Sequence, residues 1–277
     1  MGAILAMVSS LLWGSGDFMA GYLSRRRQPI AVLGGSQIVG LFVMLLIATL
    51  TASWGAAPGG YLLWGVLASF SGLLGLLSFY TALATGPMGV VSPISALGVL
   101  VPLAVGLFTG ELPTALQYLG ILLAIVGVVL ASGPEISGEA GLRPVLLAGL
   151  AALGFGLFFV FVAIGAREST IMTMTTQRAT TTVLLIAAAL VTRKGFDGLH
   201  RQDLGWLVAI GSFDIAANLL FGLSTTMGLL AVVSVLGSLY PIVTVLLAWI
   251  VLRGRLSVPQ YIGVSVALVG VAAISAG

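Results

Sequence analysis

The sequence predicts an all-α membrane protein: ten transmembrane helices arranged as two inverted five-helix repeats. Three observations carry that expectation. Of 277 residues, 59% are hydrophobic and only 7% charged, with a mean hydropathy of +1.20, whereas soluble domains carry about a quarter charged residues. The apolar runs are about 20 residues long and lack the alternation of barrel strands, so helices satisfy the backbone in lipid. Finally, the two halves repeat one another.

In chain order the runs fall at 3–23, 31–52, 61–84, 88–109, 114–132, 144–165, 170–192, 204–227, 229–252 and 257–276. The first has no basic segment before it and no small-residue cleavage site after it, so it reads as a retained span. Arg25, Arg26, Arg27 and Pro29 separate it from the second, and Pro58-Gly59-Gly60 leads into the third. Gly86-Pro87 and Met227-Gly228 make hairpins so tight that they turn at the membrane face. Pro93, Pro102 and Pro241 lie inside the fourth and ninth runs, where each removes a backbone hydrogen bond and permits a kink. The midpoint is a linker at 134–143 holding Pro134 and two glutamates, between a first unit at 1–133 and a second at 144–277.

The repetition is specific in order and spacing. Gln117-Tyr118-Leu119-Gly120 recurs as Gln260-Tyr261-Ile262-Gly263, and Val126-Gly127-Val128 as Val269-Gly270-Val271, both 143 residues on. Gly86 with Val90-Val91-Ser92 recurs as Gly228 with Val232-Val233-Ser234, 142 residues on, and Trp13-Gly14 pairs with Phe155-Gly156 at that same spacing. Several matches at one offset indicate duplication. Five spans end on the opposite side of the bilayer from where they began, so the second unit enters upside down, as in inverted-repeat transporters.

Charge assigns a sidedness. Alternate loops hold Arg25, Arg26, Arg27, Arg143, Arg193, Lys194, Arg201, Arg253 and Arg255, while the others hold only Arg167. The positive-inside rule therefore places both termini outside.

Several chemistries are excluded. The net charge of +3 and pI near 9.6 reflect a few loop arginines and carry no nucleic-acid reading. With no cysteine and one histidine, His200, neither thiolate chemistry nor a zinc site is expected, and no cofactor is implied. There is no phosphate-cradling loop and no G-x-S-x-G elbow.

Three charges fall within the predicted slab: Asp17, Arg178 and Asp214. Each costs roughly 2.5–3.5 kcal/mol on insertion scales unless paired or hydrated, so none should face lipid. Arg178 either locks helices together as an ion pair with Asp214 or Asp17, or lines a cavity and holds an anionic group. Two acids against one base leave a surplus carboxylate, fitted to carry a coupling proton or to face a cationic substrate group. Asn218 is one turn from Asp214 and shares its face, as an interhelical hydrogen bond or as a substrate contact. Trp13, Tyr80 and Tyr240 either wall the same pocket or pack and anchor. Gln37 and Gln177 lie near helix starts, as pocket or capping residues.

The segments "WGSGDFMAG", "FYTALATGPMGVVSPISAL", "GELPTALQYLGILLAIVGVVL", "FDIAANLLFG", "SLYPIVTVLLAWIVL" and "LSVPQYIGVSVALVG" resemble the EamA-type branch of the drug/metabolite transporter superfamily over essentially the whole chain. The resemblance implies ten helices in two inverted repeats, a shared central cavity, cytoplasmic termini, and export of small metabolites such as amino acids in exchange for protons or another solute. The family's Gly-Glu signature matches Gly110-Glu111, where the glutamate would favour the start of the following helix through its dipole. In the second unit the corresponding stretch reads Arg253-Gly254-Arg255-Leu256, without the glutamate.

The expected function is a secondary transporter of small, amphiphilic metabolites working by alternating access. A passive channel or scaffold is the alternative, and an intramembrane enzyme a third reading, which would require Asp17 and Asp214 to form a dyad. Arginine outnumbers lysine ten to one, which suits a GC-rich bacterial genome and a bacterial cytoplasmic membrane.

Overall fold

A computed structural model describes residues 1–24, 26–85, 88–131, 141–192, 199–252 and 257–277. The Gly86-Pro87 hairpin, the linker at 134–140 and Arg253 to Leu256 lie outside the described residues. Among those described there is no strand, and every element is helical.

Helix α1 (Gly2–Ser24) is followed by α2 (Pro29–Leu50), α3 (Pro58–Thr85), α4 (Met88–Ala96), α5 (Leu100–Phe108) and α6 (Ala115–Ala131). The second half comprises α7 (Leu142–Thr192), α8 (Leu204–Met227), α9 (Leu230–Gly237), α10 (Tyr240–Leu252) and α11 (Val258–Ala276). Helix α7 is broken at Ser169, whose backbone leaves the helical region (φ −159°, ψ 107°). The Ser169 hydroxyl accepts from the Met172 amide at 3.2 Å, so it caps the second part of α7. Among the described residues, six stretches are long and apolar enough to cross a membrane, with α7 and its break counted as one, and three shorter apolar helices accompany them.

Proline sets the other two breaks. A proline ring collides with the carbonyl four residues back, here those of Gly98 and Gly237. A short 3-10 turn, Leu97–Val99, separates α4 from α5 just ahead of Pro102, and the chain leaves the helix at Ser238 just ahead of Pro241.

The residues that recur along the chain turn out to be caps and contacts. At the start of α6, the Thr114 amide donates to the Gln117 side chain and the Gln117 amide to the Thr114 hydroxyl, at 3.0 and 3.2 Å. Ser257 and Gln260 form the same capping box at the start of α11. The two helices then touch backbone to backbone. A methyl group on Gly120 would fall 2.7 Å from the Gly270 carbonyl, and one on Gly263 2.7 Å from the Gly127 carbonyl. Early residues of each helix thus meet late residues of the other, so α6 and α11 are antiparallel and their contact is self-complementary.

A second matched pair ties the halves together. A methyl on Gly14 would fall 2.5 Å from both the Tyr240 carbonyl and the Val243 Cβ; one on Gly156 would meet the Gly98 carbonyl and fall 2.5 Å from the Val101 Cβ. All three correspondences carry the 142-residue offset.

Both chain ends lie on one face. Gly2 abuts Met227, and Gly277 abuts Thr114 and Gln117. Arg27 lies beyond the other end of α1 and pairs with Asp203 at 2.7 Å; these two faces are called the terminus face and the arginine face below. Glu111, on the terminus face, departs from expectation. Its carboxylate does not serve the following helix but accepts from the Leu230 and Ala231 amides of α9, at 2.6 and 2.8 Å. The first-turn amides of a helix carry the positive end of the dipole whatever the sequence distance.

Candidate functional site

On α1, the exposed Ile4, Val8 and Leu11 mark the outward side. At about 100° per residue, Asp17 lies about 150° away from them, on the side where Ala6 and Ser10 are buried. Asp17 is nevertheless exposed. Its carboxylate therefore opens on the space between helices and not on the lipid side. Among the described residues it has neither a hydrogen bond nor an ion pair.

Asp214 repeats the pattern on α8. It is centred on the stripe formed by Leu207, Ile210, Asn218 and Phe221, all buried, yet its side chain is 34% exposed. Helices α1 and α8 pack directly: the Ser9 hydroxyl donates to the Ala217 carbonyl at 2.7 Å, and a methyl on Gly16 would lie 3.7 Å from the Phe213 Cβ. Asp17 and Asp214 are thereby held on neighbouring antiparallel helices, about one turn apart in depth.

Arg178 projects from the second part of α7 and is 3% exposed. One terminal nitrogen donates to the Gln37 side-chain oxygen on α2, the other to Asp214 Oδ2 at 2.6 Å. Gly40 lets the guanidinium lie close to α2, since a methyl there would be 3.4 Å from its Nε. That Nε has no partner. Asn218 donates to the other Asp214 oxygen at 3.1 Å and to the Asp214 carbonyl at 2.7 Å. Both oxygens of Asp214 are thus engaged, while Asp17 is free. The cluster thus holds one more carboxylic group than guanidinium.

Aromatic rings adjoin this cluster. Trp13, one turn before Asp17, has ring-centre distances of 5.6 Å to Phe159, 5.6 Å to Phe221 and 6.3 Å to Tyr240. Tyr80 is 53% exposed on α3. Of the residues singled out in the sequence, Gln37, Arg178, Asp214 and Asn218 are directly joined, Trp13 and Tyr240 stand together, and Asp17 and Tyr80 are exposed.

The glutamines are not caps. Gln37 is two turns into α2, and Gln177 donates to the Thr181 hydroxyl at 3.1 Å, which is paired in turn with Ser69 at 2.8 Å. Thr181 and Ser69 escaped the sequence reading, although Gln177 and Thr181 share the one-turn spacing that drew attention to Asp214 and Asn218. Two surface grooves, of about 440 Å³ beside Leu142, Leu146 and Leu150 and about 430 Å³ between Trp54, Tyr61 and Met172, touch none of the cluster. Among the described residues no group of histidine, cysteine or acidic side chains could hold a metal ion.

The cluster combines helices from both halves, and the halves themselves are recognisable. The model of the EamA-like transporter family matches twice, over residues 1–133 and 142–276. The chain belongs to the EamA-like transporter family. Like other EamA-like transporters it is a multi-pass membrane protein. A relative in Methanocaldococcus jannaschii, itself an uncharacterized protein, is 28% identical over 130 residues, 47% of this chain and 94% of that protein. A crystal structure of a protein 17% identical in sequence superposes with a TM-score of 0.79 over 98% of this chain and 95% of the other. At that identity the likeness concerns the fold.

Proposed function

We propose that this EamA-like protein is a secondary transporter exporting small amphiphilic metabolites that bear a cationic group, amino acids and related amines among them, in exchange for protons. Its ten spans form two inverted five-helix repeats, 1–133 and 144–277, joined by a linker at 134–143, and they alternate access to the cluster around Asp17. The antiparallel glycine contact of α6 with α11 and the matched contacts of Gly14 and Gly156 support the inversion. The distribution of arginines supports a cytoplasmic arginine face in a bacterial inner membrane.

One observation carries the reading. Asp17 is an accessible, unpartnered carboxylate on the inward side of a membrane helix, about one turn in depth from an aspartate already neutralised by Arg178. A lone carboxylate beside the Trp13, Tyr240 and Tyr80 rings suits a small organic cation, which such rings attract through their faces. The same carboxylate can bind a proton once the cation leaves, which links the two fluxes.

Counterflow in proteoliposomes tests this. A carrier loaded with unlabelled amino acid or amine accelerates entry of the labelled compound; a pore shows no such acceleration, and an enzyme returns an altered product. Uptake driven by a pH gradient should vanish in Asp17→Asn and in Asp214→Asn. Unchanged uptake in both variants overturns the proposal.

A further inference from the structure

Glu111 joins the two halves at a single place. The turn presenting it is rigid: Gly110 takes φ +89°, its amide donates to the Leu107 carbonyl at 3.1 Å, and the Glu111 amide to the Gly106 carbonyl at 2.9 Å. This is a Schellman ending, which pins the direction of the residue that follows. The carboxylate then reaches α9, taking one first-turn amide on each oxygen. Gly106 makes room, since a methyl there would collide with the carboxylate and lie 3.1 Å from the Ala231 amide. Helix α9 has no cap of its own, because Leu229 precedes it without a side-chain hydrogen bond, and every residue of α9 is buried. Its exposed dipole end is completed from the other half of the chain.

The second unit carries no acid at the corresponding sequence position. The repeat offsets carry Glu111 onto Gly254, and Leu230 and Ala231 onto Met88 and Gly89. The second unit thus carries a glycine where the first carries the acid. An inverted pair of repeats reaches its second state by letting each half take the conformation of the other. Opening the terminus face would therefore break two charge-assisted hydrogen bonds, and Gly254, at the matching sequence position, brings no carboxylate in exchange.

We propose that Glu111 is a one-sided latch that holds the terminus face shut and biases the protein toward the state open to the arginine face. The inference goes beyond the substrate and coupling proposed above and shares with them only the premise of alternating halves. The bias belongs to the protein itself and exists before any substrate binds.

Cysteine accessibility tests it, and the native chain has no cysteine. Ser234 sits one turn inside α9 behind the latch and is fully buried, so Ser234→Cys reports opening of the terminus face to a membrane-impermeant maleimide. Glu111→Ala should raise the labelling rate from that face at least tenfold, and Glu111→Gln, which keeps one acceptor, by less. Gly254→Glu, in the chain that retains Glu111, should shift labelling toward the open terminus face by strengthening closure on the other side. A circular-dichroism melt shows that each variant is folded. Labelling rates unchanged in folded Glu111→Ala and Gly254→Glu overturn the latch. No substrate enters this readout, so a failure here is separable from a failure of counterflow.

Discussion

Arg178 donates to Asp214 across 2.6 Å, with 3% of its own side chain exposed and 34% of the aspartate's. The pair is lopsided: the base is enclosed while the acid retains a wet edge. Removing the acid strands a buried guanidinium, a loss that reaches about 3–5 kcal/mol in a dry site and is smaller here because water at the wet edge takes part of the acid's place. Asp214→Ala should therefore melt well below the native protein in detergent. Arg178→Met combined with Asp214→Leu should recover most of the loss, and a double variant as unstable as the single one would show that the pair is not the anchor.

Asp17 should behave in the opposite way. It has no hydrogen bond or ion pair to lose, so Asp17→Asn should change unfolding by no more than about 0.5 kcal/mol, as for exposed substitutions, while abolishing counterflow. Parallel melting curves and transport assays separate the two effects. A large loss of stability would mean that the carboxylate is a structural group.

Two glycine substitutions should differ in sign. A methyl on Gly270 would sit 2.6 Å from the Ala124 amide of the facing helix, whereas one on Gly149 meets nothing within 4 Å. Gly270→Ala should destabilise by about 1–3 kcal/mol through overpacking. Gly149→Ala, inside a helix with open space around it, should stabilise by about 0.5–1 kcal/mol. Thermal unfolding of both measures the contrast.

The ring cluster has two separable roles. Trp13 packs on Phe159, Phe221 and Tyr240, so Trp13→Ala should cost about 3–5 kcal/mol. Tyr240→Phe keeps the ring and removes only the hydroxyl. It should melt like the native protein, and a raised KM for the transported cation, with maximal rate preserved, would place that hydroxyl against substrate.

Much of this was legible in the sequence because membranes make polarity conspicuous. Asp214 and Asn218 are one helical turn apart in an apolar run, and they are hydrogen-bonded to each other. The interruption around Ser169 separated two runs that remain distinct on either side of a break. The capping reading of Gln37 failed because its partner is on another helix and it lies two turns into α2. The partner of Glu111 lies 119 residues away, and dipole reasoning pointed to the nearest helix when the recipient was one from the other half. Asp17 was visible as a charge, but its freedom from any partner follows only from the packing of α1 on α8.

The glycine contact between α6 and α11 limits how the protein can move. Peptide planes that meet without intervening side chains have no slack, and a slide of even one residue would drive carbonyls into neighbouring amides. In the cycle proposed above, these two helices would stand still as a spine while the helices around them make the strokes. An antibody fragment or crosslink intended to arrest the machine should grip that moving periphery, while one fastened to the spine would leave it running.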